Sequence, residues 1–276
     1  MSFRCPVCSQ ELKKEEKIWV CPQGHTFDIA AKGYVNLLTV QQKHSLHPGD
    51  TREQVLSRRA FLEAGYYAPI AEALIAVAKE LTVNSNEIRP SGELLDVGCG
   101  EGYYSARLAG ALGMRLTGMD ISREAVRCAA GKYKNGLWLC ATASHIPVAD
   151  HSCRLLTSLF ALTMPEEFKR VLRPEGYFFQ VLAAEDHLLG LKSIIYDHLI
   201  EKPKDTVPDV PGFTLVKSVP IRFTFTVEGE QVENLLSMTP HVFRIGKDGA
   251  QRLRETRSLT DTASCVLNVF RPVGNL

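Results

Sequence analysis

Three cysteines and one histidine near the start of the chain have the spacing of a closed zinc site. Cys5 and Cys8 share a Cys-Pro-Val-Cys turn, and Cys21 and His25 follow after twelve intervening residues. Four such ligands complete a tetrahedron around Zn²⁺ and leave no position for water. The alternative is that these are ordinary buried thiols and an unrelated histidine. Two pairs of ligand residues, each in a tight turn, make that alternative less favoured. We therefore predict a structural zinc ion in a small N-terminal recognition module.

A glycine-rich loop forms a second candidate site, between a predicted strand and a predicted helix. Asp96 precedes Gly98, Gly100 and Gly102, and glycines there let backbone N–H groups approach a ligand. A dinucleotide fingerprint needs a glycine where this chain has Tyr103. S-adenosylmethionine (SAM) fits better, because it has no pyrophosphate and its ammonium and carboxylate can be met by an acid and by loop amides.

A carboxylate ends the next predicted strand. Asp120 lies twenty residues beyond Gly100, where an acid can accept hydrogen bonds from both hydroxyls of a nucleoside ribose. A solvent-facing loop acid is the alternative for Asp120 alone. Its distance from the glycine loop favours the ribose role, and the two features together predict SAM binding.

The composition fits a globular protein that buries a real core. The chain has 276 residues, of which 45% are hydrophobic and 23% charged, enough for one large domain or a medium domain with a small attachment. No apolar run reaches the ~18 residues of a membrane span, and the start lacks a secretory pattern. Five further cysteines are scattered, which is typical of reduced thiols in the cytoplasm. The net charge of +1 confines any nucleic-acid contact to a local basic patch.

Apolar runs alternate with helical patterns from Glu93 onward, which predicts a parallel sheet covered on both faces. Ser122 is predicted to cap the helix after the second strand. Residues 51–81 have a helical pattern that Gly65 and Pro69 interrupt, which predicts two helices. Strands are predicted at 94–97, 116–119, 138–141, 155–159, 177–182, 213–226 and 264–270.

The loop from Asp96 to Gly102, together with Asp120, resembles that of class I SAM-dependent methyltransferases. The whole chain is similar to a narrower family, the bacterial zinc-containing methyltransferases that modify a guanine N1 in a hairpin loop of 23S ribosomal RNA. The segments that carry this similarity are the zinc quartet and residues 33–38, 58–62, 96–104 and 238–240.

That resemblance implies an α/β fold with a doubly wound, mostly parallel seven-stranded sheet and a small N-terminal zinc-binding domain. The pattern along the chain divides it into a zinc module at 1–40, a helical linker at 41–85 and a methyltransferase domain at 86–276. The resemblance implies a 23S rRNA substrate and a homodimer, and the composition predicts no membrane partner and a cytoplasmic location.

The resemblance further implies that Tyr67, Glu101, Gly102 and His187 contact SAM. Without the resemblance, Tyr67 would be interpreted as a residue that packs a helix, and His187 as a residue at the start of a helix. The chain departs from the family in two places. Phe160-Ala161-Leu162 stands where relatives usually have an aromatic residue, alanine and proline, and residues 173–176 replace a Pro-Gly-Gly turn.

Guanine N1 is protonated near neutral pH and lies on the Watson–Crick edge, so the base must be unpaired and must lose a proton. The candidates for stacking on the base are Phe160, Tyr34 and Phe243. The candidates for the general base, among which the sequence does not choose, are Glu185, Asp186 and Asp150. The candidates for RNA contact, with a solvated helix face as the alternative, are the zinc module and Lys43, Arg52, Arg58 and Arg59.

Two other functions remain open from the residues. A class I methyltransferase acting on a small molecule or a protein is one, although such enzymes seldom need an appended zinc module. An RNA-binding protein with a decayed cofactor pocket is the other, and the intact glycine loop argues against it.

Overall fold

The computed structural model describes residues 1–43, 45–46, 48–85, 92–199 and 203–274. Four short strands at the N-terminus pair in chain order as an antiparallel sheet. They are β1 (Phe3–Arg4), β2 (Glu11–Glu15), β3 (Ile18–Val20) and β4 (Thr26–Asp28). So small a sheet buries little apolar surface, and units of this size usually need a metal or a cross-link to fold.

A larger mixed sheet forms the centre of the molecule. Its described strands are β5 (Tyr34–Asn36), β6 (Glu93–Val97), β7 (Arg115–Asp120), β8 (Gly136–Cys140), β9 (Cys153–Leu159), β10 (Leu172–Ala183), β11 (Phe213–Glu228) and β12 (Ser258–Pro272). They are arranged in the order β11-β12-β10-β9-β6-β7-β8-β5. Strands β5 to β10 pair in parallel, and β12 runs antiparallel to both β10 and β11.

This arrangement confirms the predicted doubly wound, mostly parallel α/β class, and all seven predicted strands are present. The eighth strand, β5, was not predicted, because three residues carry too weak a pattern to mark a strand. It lies within the segment 1–40 that the sequence assigns to the zinc module. The proposed division into three parts stays a prediction.

Helices cover the sheet. In the described residues they are α1 (Arg52–Glu63), α2 (Ala68–Ser85), α3 (Tyr103–Leu112), α4 (Arg123–Lys132), α5 (Pro165–Val171), α6 (Leu189–Ile195), α7 (Glu230–Ser237) and α8 (Lys247–Glu255), with 3-10 turns at Val40–Gln42 and Pro240–Phe243. Ser122 caps α4 as predicted, since its hydroxyl accepts from the Ala125 N–H. Gly65, at φ 86°, lies between α1 and α2. Pro69 does not break a helix, because it occupies the first turn of α2, where no N–H is needed.

The N-terminal sheet packs directly on the central sheet. Phe3, Leu12 and Cys21 share a hydrophobic cluster with Leu95 and Val97 of β6. The chain therefore buries its small sheet against the large one rather than suspending it on a linker. Among the described helices, none is by itself long and apolar enough to cross a membrane; only α1 with most of α2, bent by 73°, meets the length and composition test as a pair.

The order of the strands also fixes where a ligand can bind. From β6 the chain proceeds to β7 and β8 on one side and returns to β9 and β10 on the other. In such sheets the crevice at the carboxyl ends of the strands, where the order reverses, is the usual ligand site. Asp96, the glycine loop, Asp120 and Phe160 all lie at these carboxyl ends.

Candidate functional site

The structure brings the four predicted zinc ligands together. One ligand atom each from Cys5, Cys8, Cys21 and His25 lies within 4.8 Å of the others. Three of the separations among the Sγ atoms and His25 Nδ1 are between 3.3 and 3.6 Å, close to the edges of about 3.5 to 3.8 Å expected for a tetrahedron with Zn–S and Zn–N bonds of ordinary length. Gly24 at φ 82° makes the turn that presents His25. The donor set fits Zn²⁺ and has no open position.

Of the three glycines in the loop, one faces open space and two are packed against neighbouring side chains. Gly98, Gly100 and Gly102 all have positive φ, between 55° and 87°. A Cβ atom at Gly98 would lie 2.6 Å from Ala161 Cβ, and one at Gly102 would lie 2.6 Å from the Trp138 ring. At Gly100 nothing would be nearer than 3.9 Å. Gly98 and Gly102 are thus required by packing, and the face of Gly100 is where a ligand can approach.

Asp120 faces the loop from the end of β7. Its Oδ2 accepts from the Gly100 N–H at 2.9 Å, and its Oδ1 accepts from the Ser122 N–H at 2.8 Å. Burial raises the pKa of this carboxyl, while the two N–H donors and the charge of Arg58 act in the opposite direction. Each oxygen keeps a further lone pair, so the carboxylate can accept from both hydroxyls of a ribose.

Asp96 braces the site. It is buried, and its two oxygens accept from the hydroxyls of Ser105 and Thr157, both at 2.6 Å. Burial raises the pKa of Asp96 to about 6, against these two hydrogen bonds. The carboxylate therefore ties β6 to α3 and β9 beneath the loop. Direct contact of Asp96 with a cofactor ammonium stays a prediction.

The surroundings of Glu101 indicate whether this site suits the charges of SAM. The residue is 5% exposed, and its Oε1 is buried with no hydrogen-bond partner among the described residues. Burial raises its pKa to about 7, although backbone N–H groups and Arg58 act in the opposite direction. A buried carboxylate oxygen without a partner, beside the open face of Gly100, suits the positive charges of SAM.

We expect Glu101→Gln to stabilise the ligand-free protein at pH 8 but not at pH 4. The pKa of Glu101 rises from 4.5 to about 7 on folding, so the folded state holds the proton more tightly. Stability is therefore lost as pH rises through this window. An uncharged glutamine avoids the loss, a gain of about 3 kcal/mol at 1.36 kcal/mol per pKa unit.

Urea unfolding at both pH values measures this gain. Glu72→Gln, which removes an exposed acid from α2, is the matched control and should change little at either pH. An equal gain from Glu101→Gln at pH 4 and pH 8 would show that ionisation is not its cause.

Tyr67 and His187, distant in sequence, meet in the structure. Tyr67 Oη lies 3.4 Å from His187 Nε2. His187 Nδ1 lies 3.1 Å from the Ser264 nitrogen and 3.0 Å from the Ser264 carbonyl oxygen, so it accepts from the first or donates to the second according to the tautomer of the ring. Burial lowers the pKa of His187 to about 4, which keeps the ring neutral near pH 7.

Tyr104 connects this pair to the glycine loop. Its buried hydroxyl has no hydrogen-bond partner among the described residues, and burial, with the nearby Tyr67 and Glu101, raises its pKa. Tyr67, with its partner His187, therefore lies near Glu101, while Glu101, Gly102 and Asp120 belong to the segments that follow β6 and end β7. Their contacts with SAM stay predictions.

Phe160 directly follows β9, at the carboxyl edge of the central sheet. Its φ of 55° is unusual for a residue with a side chain and costs about 1 kcal/mol; such strain concentrates at functional sites. The residue is 41% exposed, and its ring centroid lies 6.2 Å from that of the His187 ring, with an angle of 35° between the ring planes. The Phe160 N–H donates to the Val181 carbonyl and Ser158 Oγ donates to the Leu162 carbonyl, so hydrogen bonds hold this loop.

The other two candidate stacking rings differ in exposure. Tyr34 is 5% exposed and its hydroxyl accepts from Arg123 Nε at 3.0 Å, so its ring has no free face and this part of the expectation is wrong. Phe243 is 74% exposed in the 3-10 turn that follows α7 and stays a candidate.

The three candidate general bases differ in position and in partners. Asp150 precedes β9 and pairs with Arg170 at 2.8 Å, so it lies at the amino ends of the strands and its expected place near the acceptor is wrong. Asp186 forms an ion pair with Arg222. Glu185 is exposed two residues beyond β10 and stays a candidate.

Sequence reasoning missed the position of Arg58. Expected at the RNA surface, it instead turns inward, forms an ion pair with Asp50 and donates from Nη2 to the Met238 carbonyl at 3.4 Å. Helical spacing could have indicated this position. The buried residues Val55 and Leu62 lie three residues before and four residues after Arg58, and therefore on the same face of α1. Of the other predicted contacts, Arg59 donates to Cys128 Sγ, and Lys43 and Arg52 are exposed.

Comparison with known proteins gives two family matches. The family described as "RlmA, N-terminal" matches residues 3–46, and the family described as "Methyltransferase domain" matches residues 95–180. The first match contains the zinc quartet and β5, and the second contains the glycine loop and Asp120.

Similar proteins extend over most of the chain. The 23S rRNA (guanine(748)-N(1))-methyltransferase of Streptomyces fradiae is 30% identical over 98% of this chain and 97% of its own. A Micromonospora griseorubida protein provisionally named 23S rRNA (guanine-N(1)-)-methyltransferase is 36% identical over 68% of both chains. The solved structure of a provisionally named type II methyltransferase from Anaeromyxobacter dehalogenans, 20% identical, covers 72% of this chain and 97% of its own with a TM-score of 0.51. That likeness shows the fold alone.

Proposed function

Because the chain belongs to the family of 23S rRNA (guanine-N1)-methyltransferases, we propose that it transfers a methyl group from SAM to N1 of a guanine in a hairpin loop of 23S rRNA. One observation carries this proposal: a single chain packs the closed cysteine and histidine site against a sheet with an open glycine loop at its carboxyl edge. The zinc site has no free position, so the chemistry belongs at the carboxyl edge.

SAM supplies the reaction with an electrophilic methyl group. The protein's part is to hold the two reactants in line, and such positioning contributes several kcal/mol to the rate, on the order of 7 or more in favourable cases. Asp120 would hold the ribose and Glu101 the cationic end. The neutral His187 lies within hydrogen-bond distance of the Tyr67 hydroxyl and would hold it in place.

The acceptor guanine would enter beside Phe160. Its exposed ring at the carboxyl end of β9 can stack on an extruded base, an interaction worth about 1–3 kcal/mol. The N1 proton must also leave. Glu185, which is exposed two residues beyond β10, is the candidate for this step.

The N-terminal module, with the exposed Lys43 and Arg52, would bind the RNA stem around the target. Phosphate contacts of this kind position a nucleic acid without reading its sequence. A cytoplasmic location, where ribosomal RNA is found, and a homodimer by family analogy are parts of the same proposal.

Incubation of the purified protein with SAM and unmodified 23S rRNA, followed by primer extension, tests the function. A methyl group on N1 blocks base pairing, so reverse transcriptase should stop at one guanine in a hairpin loop. The stop should vanish without SAM and when that guanine is replaced by adenine. Methyl incorporation only into small molecules or proteins of a cell extract would favour the other enzymatic interpretation.

A further inference from the structure

The cofactor crevice combines several carboxylates with one inward-facing arginine. Arg58 projects from α1, and Asp50, Glu101 and Asp120 all lie within electrostatic reach of its guanidinium. Its side chain is 26% exposed, so the group is largely withdrawn from water. Three acids around one cation leave the crevice with an excess of negative charge.

That excess suits only part of SAM. The sulfonium and the ammonium are positive and are favoured beside Glu101, but the amino-acid portion also ends in a carboxylate. A carboxylate placed among acids is repelled, and the repulsion is stronger in a site that excludes water. A crevice for the whole molecule therefore needs a cation where the carboxylate ends.

Arg58 is placed for this role. Its Nη1 lies 3.9 Å from the position a Cβ atom would take on Gly100, at the open face of the loop. We propose that Arg58 binds the α-carboxylate of SAM, an inference that rests on the proposed function. The guanidinium has five N–H donors in a planar fork that matches a carboxylate, and its recorded hydrogen bonds, to Asp50 and to the Met238 carbonyl, use two of them.

The partners of Arg58 hold it ready before a ligand arrives. The Asp50 carbonyl accepts from Ser122 Oγ at 2.8 Å, and the Ser122 N–H donates to Asp120. A Cβ atom at Gly49 would lie only 2.8 Å from Ser122, so this part of the chain is packed closely on the turn after β7. One continuous set of contacts thus connects the proposed carboxylate site with the proposed ribose site.

Calorimetry with two ligands tests the assignment. S-adenosylhomocysteine has the carboxylate, and 5′-methylthioadenosine shares its nucleoside but has no amino-acid portion. Arg58→Gln should weaken binding of S-adenosylhomocysteine about 10- to 100-fold, as expected for hydrogen bonds between charged groups, and change binding of methylthioadenosine less than about twofold. Arg58→Lys, which keeps the charge but not the fork, should give an intermediate loss.

Arg59→Gln is the matched control, because the neighbouring arginine faces Cys128 and should leave both affinities unchanged. A thermal unfolding curve checks that each variant is folded. Equal weakening of both ligands by Arg58→Gln, or no weakening of either, would overturn this inference alone. If the unmodified protein binds neither ligand, the proposed function fails and the inference fails with it.

Discussion

Replacing Cys5 and Cys8 together with serine is expected to abolish methylation of 23S rRNA, while S-adenosylhomocysteine still binds within about threefold of its original affinity. Serine hydroxyls do not replace thiolates as zinc ligands, and zinc contributes about 10–16 kcal/mol to the folding of comparable small modules. The N-terminal strands have two to five residues each and cannot offset that loss. The candidate cofactor residues lie on other elements than the metal ligands, although Cys21 packs in one hydrophobic cluster with Leu95 and Val97 of β6.

Three measurements on one preparation decide this prediction: zinc content by mass spectrometry, ligand affinity by calorimetry, and methyl transfer to RNA. Cys128→Ser is the matched control, since this half-buried thiol lies outside the zinc cluster. RNA methylation that survives the loss of zinc would refute the recognition role. Loss of ligand binding together with the metal would instead show that the central sheet depends on the module packed against it.

Asp120→Ala is expected to weaken S-adenosylhomocysteine binding at least about 100-fold. Two hydrogen bonds from ribose hydroxyls to a carboxylate contribute about 1.5–3 kcal/mol each, and the substitution also leaves the Gly100 and Ser122 N–H groups without their acceptor. The change removes part of the loop's support as well as the ribose contact.

A ligand that lacks the 2′-hydroxyl separates these two contributions. The 2′-deoxy analogue should bind the unmodified protein more weakly than S-adenosylhomocysteine does, whereas the Asp120→Ala variant should bind the two ligands about equally. If the variant still prefers the ribose form by the original ratio, Asp120 does not hold the hydroxyls, and its part is confined to the loop.

The elements that were predictable from the sequence are those with local causes. The apolar run that ends at Val97, the glycines that follow it and the Ser122 cap all determine structure within a few residues of themselves. The four metal ligands were equally predictable, because the spacing within each turn is enough to identify the two ligand pairs. For the same reason Asp120 could be placed at the end of its strand.

What the sequence did not reveal depends on partners far along the chain. Arg58 faces inward because Asp50 and Met238 meet it there, and Met238 is 180 residues away. Asp96 braces the loop through Thr157, a partner 61 residues distant. Packing between distant elements decides both of these. The position of Asp150 is a different case, since its place before β9 in the sequence already puts it at the amino end of that strand.

Strand β5 also bears on how two copies of this protein could associate. It closes one edge of the central sheet against β8, and its own outer side is met by Ile29. The opposite edge, β11, has Pro220 and charged Lys217 and Arg222 along its length, features that discourage strand addition. A dimer formed by joining two central sheets edge to edge is therefore disfavoured at both ends, and the proposed homodimer would have to associate through helices or through the N-terminal module.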